Sequence, residues 1–146
     1  MLWLFYALGA AVIWGINYAA SGRLLERGMS PPTLFFIDLV FGTAAVGALI
    51  TFTGKWSATM LELRSARPDF LWLIVAVAAA TVAGLFIFLS IQAKNATVAS
   101  LIEVTYPLFT AFFAWTLFRQ TTLNTATIIG ALLIFAGVLI VARGNR

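Results

Sequence analysis

Phe70–Gln92 reads FLWLIVAVAAATVAGLFIFLSIQ, without a single Asp, Glu, Lys or Arg. As a helix rising 1.5 Å per residue it is about 34 Å long, enough to cross a hydrocarbon core of roughly 30 Å. It lacks the strict apolar/polar alternation of a membrane barrel strand and is about twice as long as one. Four more runs of the same kind flank it: Leu2–Ala20, Thr33–Thr53, Thr97–Phe118 and Leu123–Ala142. The expected fold is therefore an all-α integral membrane protein, a bundle of five transmembrane helices within residues 1–146. An odd number of crossings places its two ends on opposite sides of the bilayer.

Composition agrees. The chain is 62% hydrophobic and 10% charged, against about half and a quarter for a soluble domain. Lipid must be its solvent, and helices satisfy the backbone there segment by segment. The net charge of +4 sits in short loops and tails, which suits anionic headgroups and gives no nucleic-acid surface. Trp3, Trp56 and Trp72 lie near helix ends, as interfacial indoles do. The chain has neither His nor Cys. The commonest metal ligand and general base is thus missing, and no nucleophile–base pair has a recognisable spacing. The reading is of no enzyme, no catalytic residue, no metal and no cofactor. The first run has no preceding Lys or Arg and exceeds the usual length of a signal-peptide core, so it is expected to be retained.

The connections are short. Ser21–Pro32 contains Gly22, Gly28 and Ser30-Pro31-Pro32, a helix end followed by a helix start. In Gly54–Asp69, Trp56, Met60 and Leu63 recur at helical spacing, which fits either a helix lying in the interface or an ordinary loop. Lys94–Ala96 and Arg119–Thr122 are tight turns. Asn95-Ala96-Thr97 has the form of a glycosylation acceptor but abuts a membrane helix. Small residues recur at packing intervals: Ala7, Ala11, Gly15 and Ala19; Ala76, Ala80 and Gly84; Gly130 and Gly137. Helices in lipid associate through such close-approach faces, and the Gly130/Gly137 face is a candidate contact between subunits.

Lys and Arg in short loops set orientation. Arg23, Arg27, Lys94, Arg143 and Arg146 fall on one side, and Lys55, Arg64, Arg67 and Arg119 on the other. So even a distribution predicts insertion in both orientations and an antiparallel homodimer. The competing reading is a single orientation with a partner of opposite orientation, a similar five-helix chain.

Two carboxylates interrupt the spans, Asp38 and Glu103. A charge at the centre of a span costs about 2.5–3.5 kcal/mol on insertion scales. Both start from the same side of the membrane, where Asn17 and Gln92 also fall. Pro107 has no N–H, so the carbonyl of Glu103, four residues earlier, loses its helical partner. Such a kink is tolerated at membrane depth only inside protein or beside a wet cavity. Trp14, Asn17, Asp38, Glu103 and Tyr106 are therefore the candidate substrate pathway, with Pro107 the kink. Tyr18 and Phe86 could stack on a solute or simply pack. The rival reading holds the carboxylates as interfacial anchors paired with Arg23, Arg27 or Lys94. With no base at that depth inside the helices, a cavity there favours cations, protons or polar neutral solutes.

These motifs together resemble the EamA-type domain of drug/metabolite transporters. Trp14-Gly15-Ile16-Asn17 is similar to that family's Trp-Gly-x-Asn/Ser element. Ser30-Pro31 resembles the opening of its second helix, Ala93–Ser100 with Pro107 its fourth, and Gly130–Val138 its Gly-Ala-Leu-Leu-Ile-x-x-Gly-Val ending. There are departures: Asp38 stands where the family often has Arg, and Phe118-Arg119 where it often has Gly-Glu. The helix-1 glutamate of the small multidrug-resistance relatives is absent. The resemblance implies one half of an inverted-repeat transporter that moves a small metabolite or organic solute across the cell membrane, with a second copy completing the pathway. It also leaves room for an accessory subunit without transport of its own, or for a lipid-linked sugar flippase subunit.

Overall fold

A computed structural model of the chain describes residues 1–120 and 124–144. The described residues are helical nearly throughout: α1 Leu2–Glu26, α2 Pro31–Phe52, α3 Trp56–Ser65, a 3-10 turn Arg67–Asp69, α4 Phe70–Ala93, α5 Ala96–Glu103, α6 Tyr106–Phe118 and α7 Thr125–Gly144. Among them, five stretches are long and apolar enough to cross a membrane: Leu2–Glu26, Pro31–Phe52, Arg67–Ala93, Ala96–Phe118 and Thr125–Gly144. The expected all-α, five-span architecture is thus present.

The ends of the helices have local causes. Gly28, at φ +96°, closes α1. Its N–H bonds to the Leu25 carbonyl, and that of Met29 to Leu24. This is the paired Schellman pattern, with glycine in the left-handed position. Gly54, at φ +66°, closes α2 with the same pair of bonds, Gly54 to Thr51 and Lys55 to Ile50. Ser30 caps α2, its hydroxyl accepting from the Thr33 N–H at 3.4 Å, and Pro31-Pro32 occupies the first turn where no N–H is needed. Asn95 caps α5 by accepting from the Val98 N–H at 2.8 Å, and Asn124 caps α7 by accepting from Thr127. At the end of α6 the left-handed position is held by Arg119, φ 56°.

The structure moves one expected boundary and makes two other expectations specific. The first helix does not stop at Ala20 but runs through Ser21–Glu26. Gly22 is no turn residue: a Cβ there would lie 3.0 Å from the Ala96 Cβ, so it is a helical glycine at a close contact. The fourth span is two helices, α5 and α6, parted at Val104–Thr105. The stretch after Gly54 holds a helix, α3, whose Trp56 Nε1 donates to Thr51 Oγ1 at 3.0 Å. Leu123, the expected start of the last span, lies outside the described residues; α7 is described from Thr125.

The chain divides into two compact units, Met1–Arg23 with Ser90–Arg146, and Leu24–Leu89. In the first, Gly22 meets Ala96 and Ile91, Ala99 is buried, and α5 packs on α7. In the second, Leu25, Leu34 and Phe88 are buried. The Phe35 ring lies 5.8 Å from Phe88 and directly over Gly84. Most large apolar side chains point outward, Trp3, Phe5, Phe41 and Ile140 each 72% exposed. Such a surface would associate in water; in lipid it is the side that needs no cover.

Candidate functional site

The site is built where the fourth span breaks. α5 ends at Glu103, and Val104 and Thr105 form a turn before α6 opens on Tyr106 and Pro107. Pro107 supplies no N–H to the Glu103 carbonyl and its ring crowds that carbonyl, so an unbroken helix cannot pass through this point. The chain adapts with shorter-range bonds: the Thr105 N–H donates to the Ile102 carbonyl at 3.1 Å and the Leu108 N–H to the Thr105 carbonyl at 3.0 Å. The Thr105 hydroxyl also donates to Ile102, at 2.9 Å. It is thus used locally and does not serve Glu103.

The Glu103 side chain finds its partner on α1. The Tyr18 hydroxyl donates to Glu103 Oε2. A hydrogen bond to a charged group contributes about 1.5–3 kcal/mol, which offsets part of the cost of placing a carboxylate in a span. Tyr18 is half-buried. One turn before it on α1, Trp14 sits with ring centroids 6.0 Å apart and planes at 44°. The structure therefore brings two of the sequence candidates, Trp14 and Glu103, to a common neighbour. From the sequence, Tyr18 reads only as a ring that could stack or pack. Its phenol is the group that ties α1 to the break, and no local signal in the sequence announces that pairing. Asn17 is half-buried on the same helix, whereas Tyr106 stays 63% exposed at the head of α6.

Beside the break, α6 and α7 form an open apolar groove of about 530 Å³, lined among others by Val104, Pro107, Trp115, Ile128 and Gly130. Among the described residues, nothing lies within 4 Å of a Cβ position on Gly130, Gly15 or Gly137. Of the glycines expected to mediate packing, Gly84 alone is closely approached, by Phe35.

Asp38 belongs to the second unit. It is exposed on α2 and lines an open hollow of about 600 Å³ together with Gly42, Thr43, Gly47 and Trp56.

No curated protein and no solved structure matches this chain. A family model does, over residues 1–143, and its description is the EamA-like transporter family. A match over nearly the whole of the 146 residues, on a chain with five candidate spans, makes this a multi-pass membrane protein of transporter type, and the chain belongs to the EamA-like transporter family.

Proposed function

We propose that this chain is a transporter subunit that moves a small metabolite or organic solute across the cell membrane as an antiparallel homodimer, with Glu103 at the solute pathway. The observation that carries the reading is the carboxylate at a broken helix, held by a hydroxyl from another span. Broken helices at membrane depth belong beside protein or a wet cavity, and in secondary transporters they bind the solute. Ionisable residues in spans have the same association with pathways.

Geometry and charge together support dimerisation. One five-helix unit leaves Glu103 and Trp14 exposed, and neither lipid nor open loop covers a carboxylate well. A second copy of opposite orientation would close a pathway around them, and the five-to-four distribution of Lys and Arg permits both orientations. The open faces of Gly15, Gly130 and Gly137 suit a helix from another subunit. Asn17 and Tyr106, of the same compact unit, would line the same pathway.

Two measurements test this. Reporter fusions at the C-terminus should give signal on both sides of the membrane; signal on one side alone removes the dual orientation. Purified protein in proteoliposomes, offered radiolabelled amino acids, sugars and amines, should take up at least one class, with uptake reduced at least tenfold by Glu103→Gln. A chain that copurifies only with another five-helix chain and is inert alone is an accessory subunit. Movement of a lipid-linked sugar in place of water-soluble solutes makes it a flippase subunit.

A further inference from the structure

We infer that Trp14, Tyr18 and Glu103 bind an organic cation, a protonated or quaternary amine on a compact apolar body. This rests on the transporter reading and names the chemical class of its solute. Three features of the cluster converge. Glu103 offers a carboxylate, and neither its own stretch, Ala96–Phe118, nor Leu2–Gly22 on α1 contains a Lys or Arg. A fixed positive charge on these stretches, which would recruit an anion, is thus absent. Trp14 and Tyr18 present two ring faces at 44°, an open wedge instead of a flat stack. The negative face of an aromatic ring attracts a cation within about 6 Å, and indole does so best. The cluster is accessible through Trp14, 56% exposed, and Glu103, exposed as well, with Tyr18 half-buried between the two.

The Tyr18 hydroxyl completes the arrangement. It bonds to Oε2 of Glu103, and a carboxylate accepts at both oxygens. The phenol thereby holds the charged end of Glu103 beside the wedge. A quaternary ammonium, which has no N–H to donate, can then sit against the carboxylate and the rings by charge alone. The apolar body of such a solute would meet apolar side chains around it.

The test uses the full chain purified in detergent and tritiated benzyltrimethylammonium, with protein-free micelles subtracted. Saturable binding is expected, displaced by unlabelled benzyltrimethylammonium but not by neopentylbenzene, its neutral isostere. Glu103→Gln should weaken binding at least tenfold, and Glu103→Asp, which keeps the charge, should retain more affinity than Glu103→Gln. Trp14→Leu should weaken it roughly threefold to thirtyfold, the range of a cation–ring contact. Tyr18→Phe keeps the ring but releases the carboxylate, and should bind more weakly than the parent and more tightly than Glu103→Gln. No saturable binding, equal competition by the neutral isostere, or undiminished binding by a folded Glu103→Gln variant would each overturn the inference. Proteoliposome flux separates the two readings. Uptake of neutral solutes unaffected by Glu103→Gln, with no cation binding, leaves a transporter and removes this site. Cation binding without flux of any solute leaves the site and removes the transporter reading.

Discussion

Gly84→Ala is the sharpest test of the packing, because the structure gives its size. A Cβ built on Gly84 falls 2.6 Å from Cε2 and 2.9 Å from Cζ of Phe35. Contacts this short do not persist, so either the ring moves or the helices separate. The ring is not free to swing without loss: it packs against Phe88, which is 4% exposed, at a centroid distance of 5.8 Å. Overpacking of this kind costs about 1–3 kcal/mol. The gain in helix propensity from glycine to alanine, up to about 1 kcal/mol in water, opposes it. The net expectation is a loss of about 1–2 kcal/mol, read as a lowered midpoint of unfolding by denaturant in mixed micelles. Gly15→Ala is the internal control, since its Cβ meets nothing within 4 Å, and it should be neutral or slightly stabilising in the monomer. Adding Phe35→Leu to Gly84→Ala should recover part of the loss, and the double-mutant cycle should show a coupling above about 0.5 kcal/mol. Equal stability of Gly84→Ala and Gly15→Ala, or additive effects in the cycle, would mean that Phe35 does not confine Gly84.

Arg119 holds a left-handed conformation, φ 56°, at the end of α6; Arg119→Gly should relieve about 1 kcal/mol of strain and raise the thermal midpoint, whereas Gly28→Ala, at φ +96°, should lower it by a similar amount. Pro107→Ala returns an N–H to the Glu103 carbonyl, so α5 and α6 should join, visible as increased amide-exchange protection over 104–108, with loss of solute flux. Two arginines added beside Lys55 should shift the even charge distribution toward one orientation, so that C-terminal reporter signal falls on one side by severalfold. Asn95→Ala removes the hydrogen bond to the Val98 N–H and should cost about 1 kcal/mol.

What could be read from sequence divides along physical lines. The spans were legible because length and absence of charge are all a bilayer demands, and the Ser30-Pro31-Pro32 start of α2 because capping is a local event. The break at Glu103–Pro107 was legible for the same reason: a proline acts on a carbonyl four residues away. The end of α1 was not. Gly22 and Gly28 carry the same letter, yet one is a left-handed terminator and the other a helical residue chosen for its contact with Ala96. That difference is set by a neighbour distant in sequence. The same holds for Tyr18, whose hydroxyl meets Glu103 across 85 residues, and for Phe35 over Gly84. Small-residue spacing picked out Gly15, Gly84, Gly130 and Gly137 alike, but only the fold tells which glycine is already occupied within the chain.

That last distinction bears on how the molecule would work. A carboxylate costs free energy wherever it enters hydrocarbon, and one hydrogen bond from Tyr18 covers only part of that cost. If Glu103 merely anchored a helix end, a continuous helix and a pairing with a nearby cation would serve better than a proline that removes backbone bonding beside it. Instead the chain combines two locally unfavourable features, an acid and a break, with two aromatic rings of α1, Trp14 exposed and Tyr18 half-buried. Features that each reduce stability tend to sit together where a bound species repays them. A second copy and a cationic solute would do so at once, the first by excluding lipid from the open faces and the second by neutralising the charge. On this argument the empty monomer is the least favourable state of the protein, and both assembly and solute binding should raise its unfolding midpoint, by increments that Glu103→Gln selectively removes for the solute but leaves for the partner.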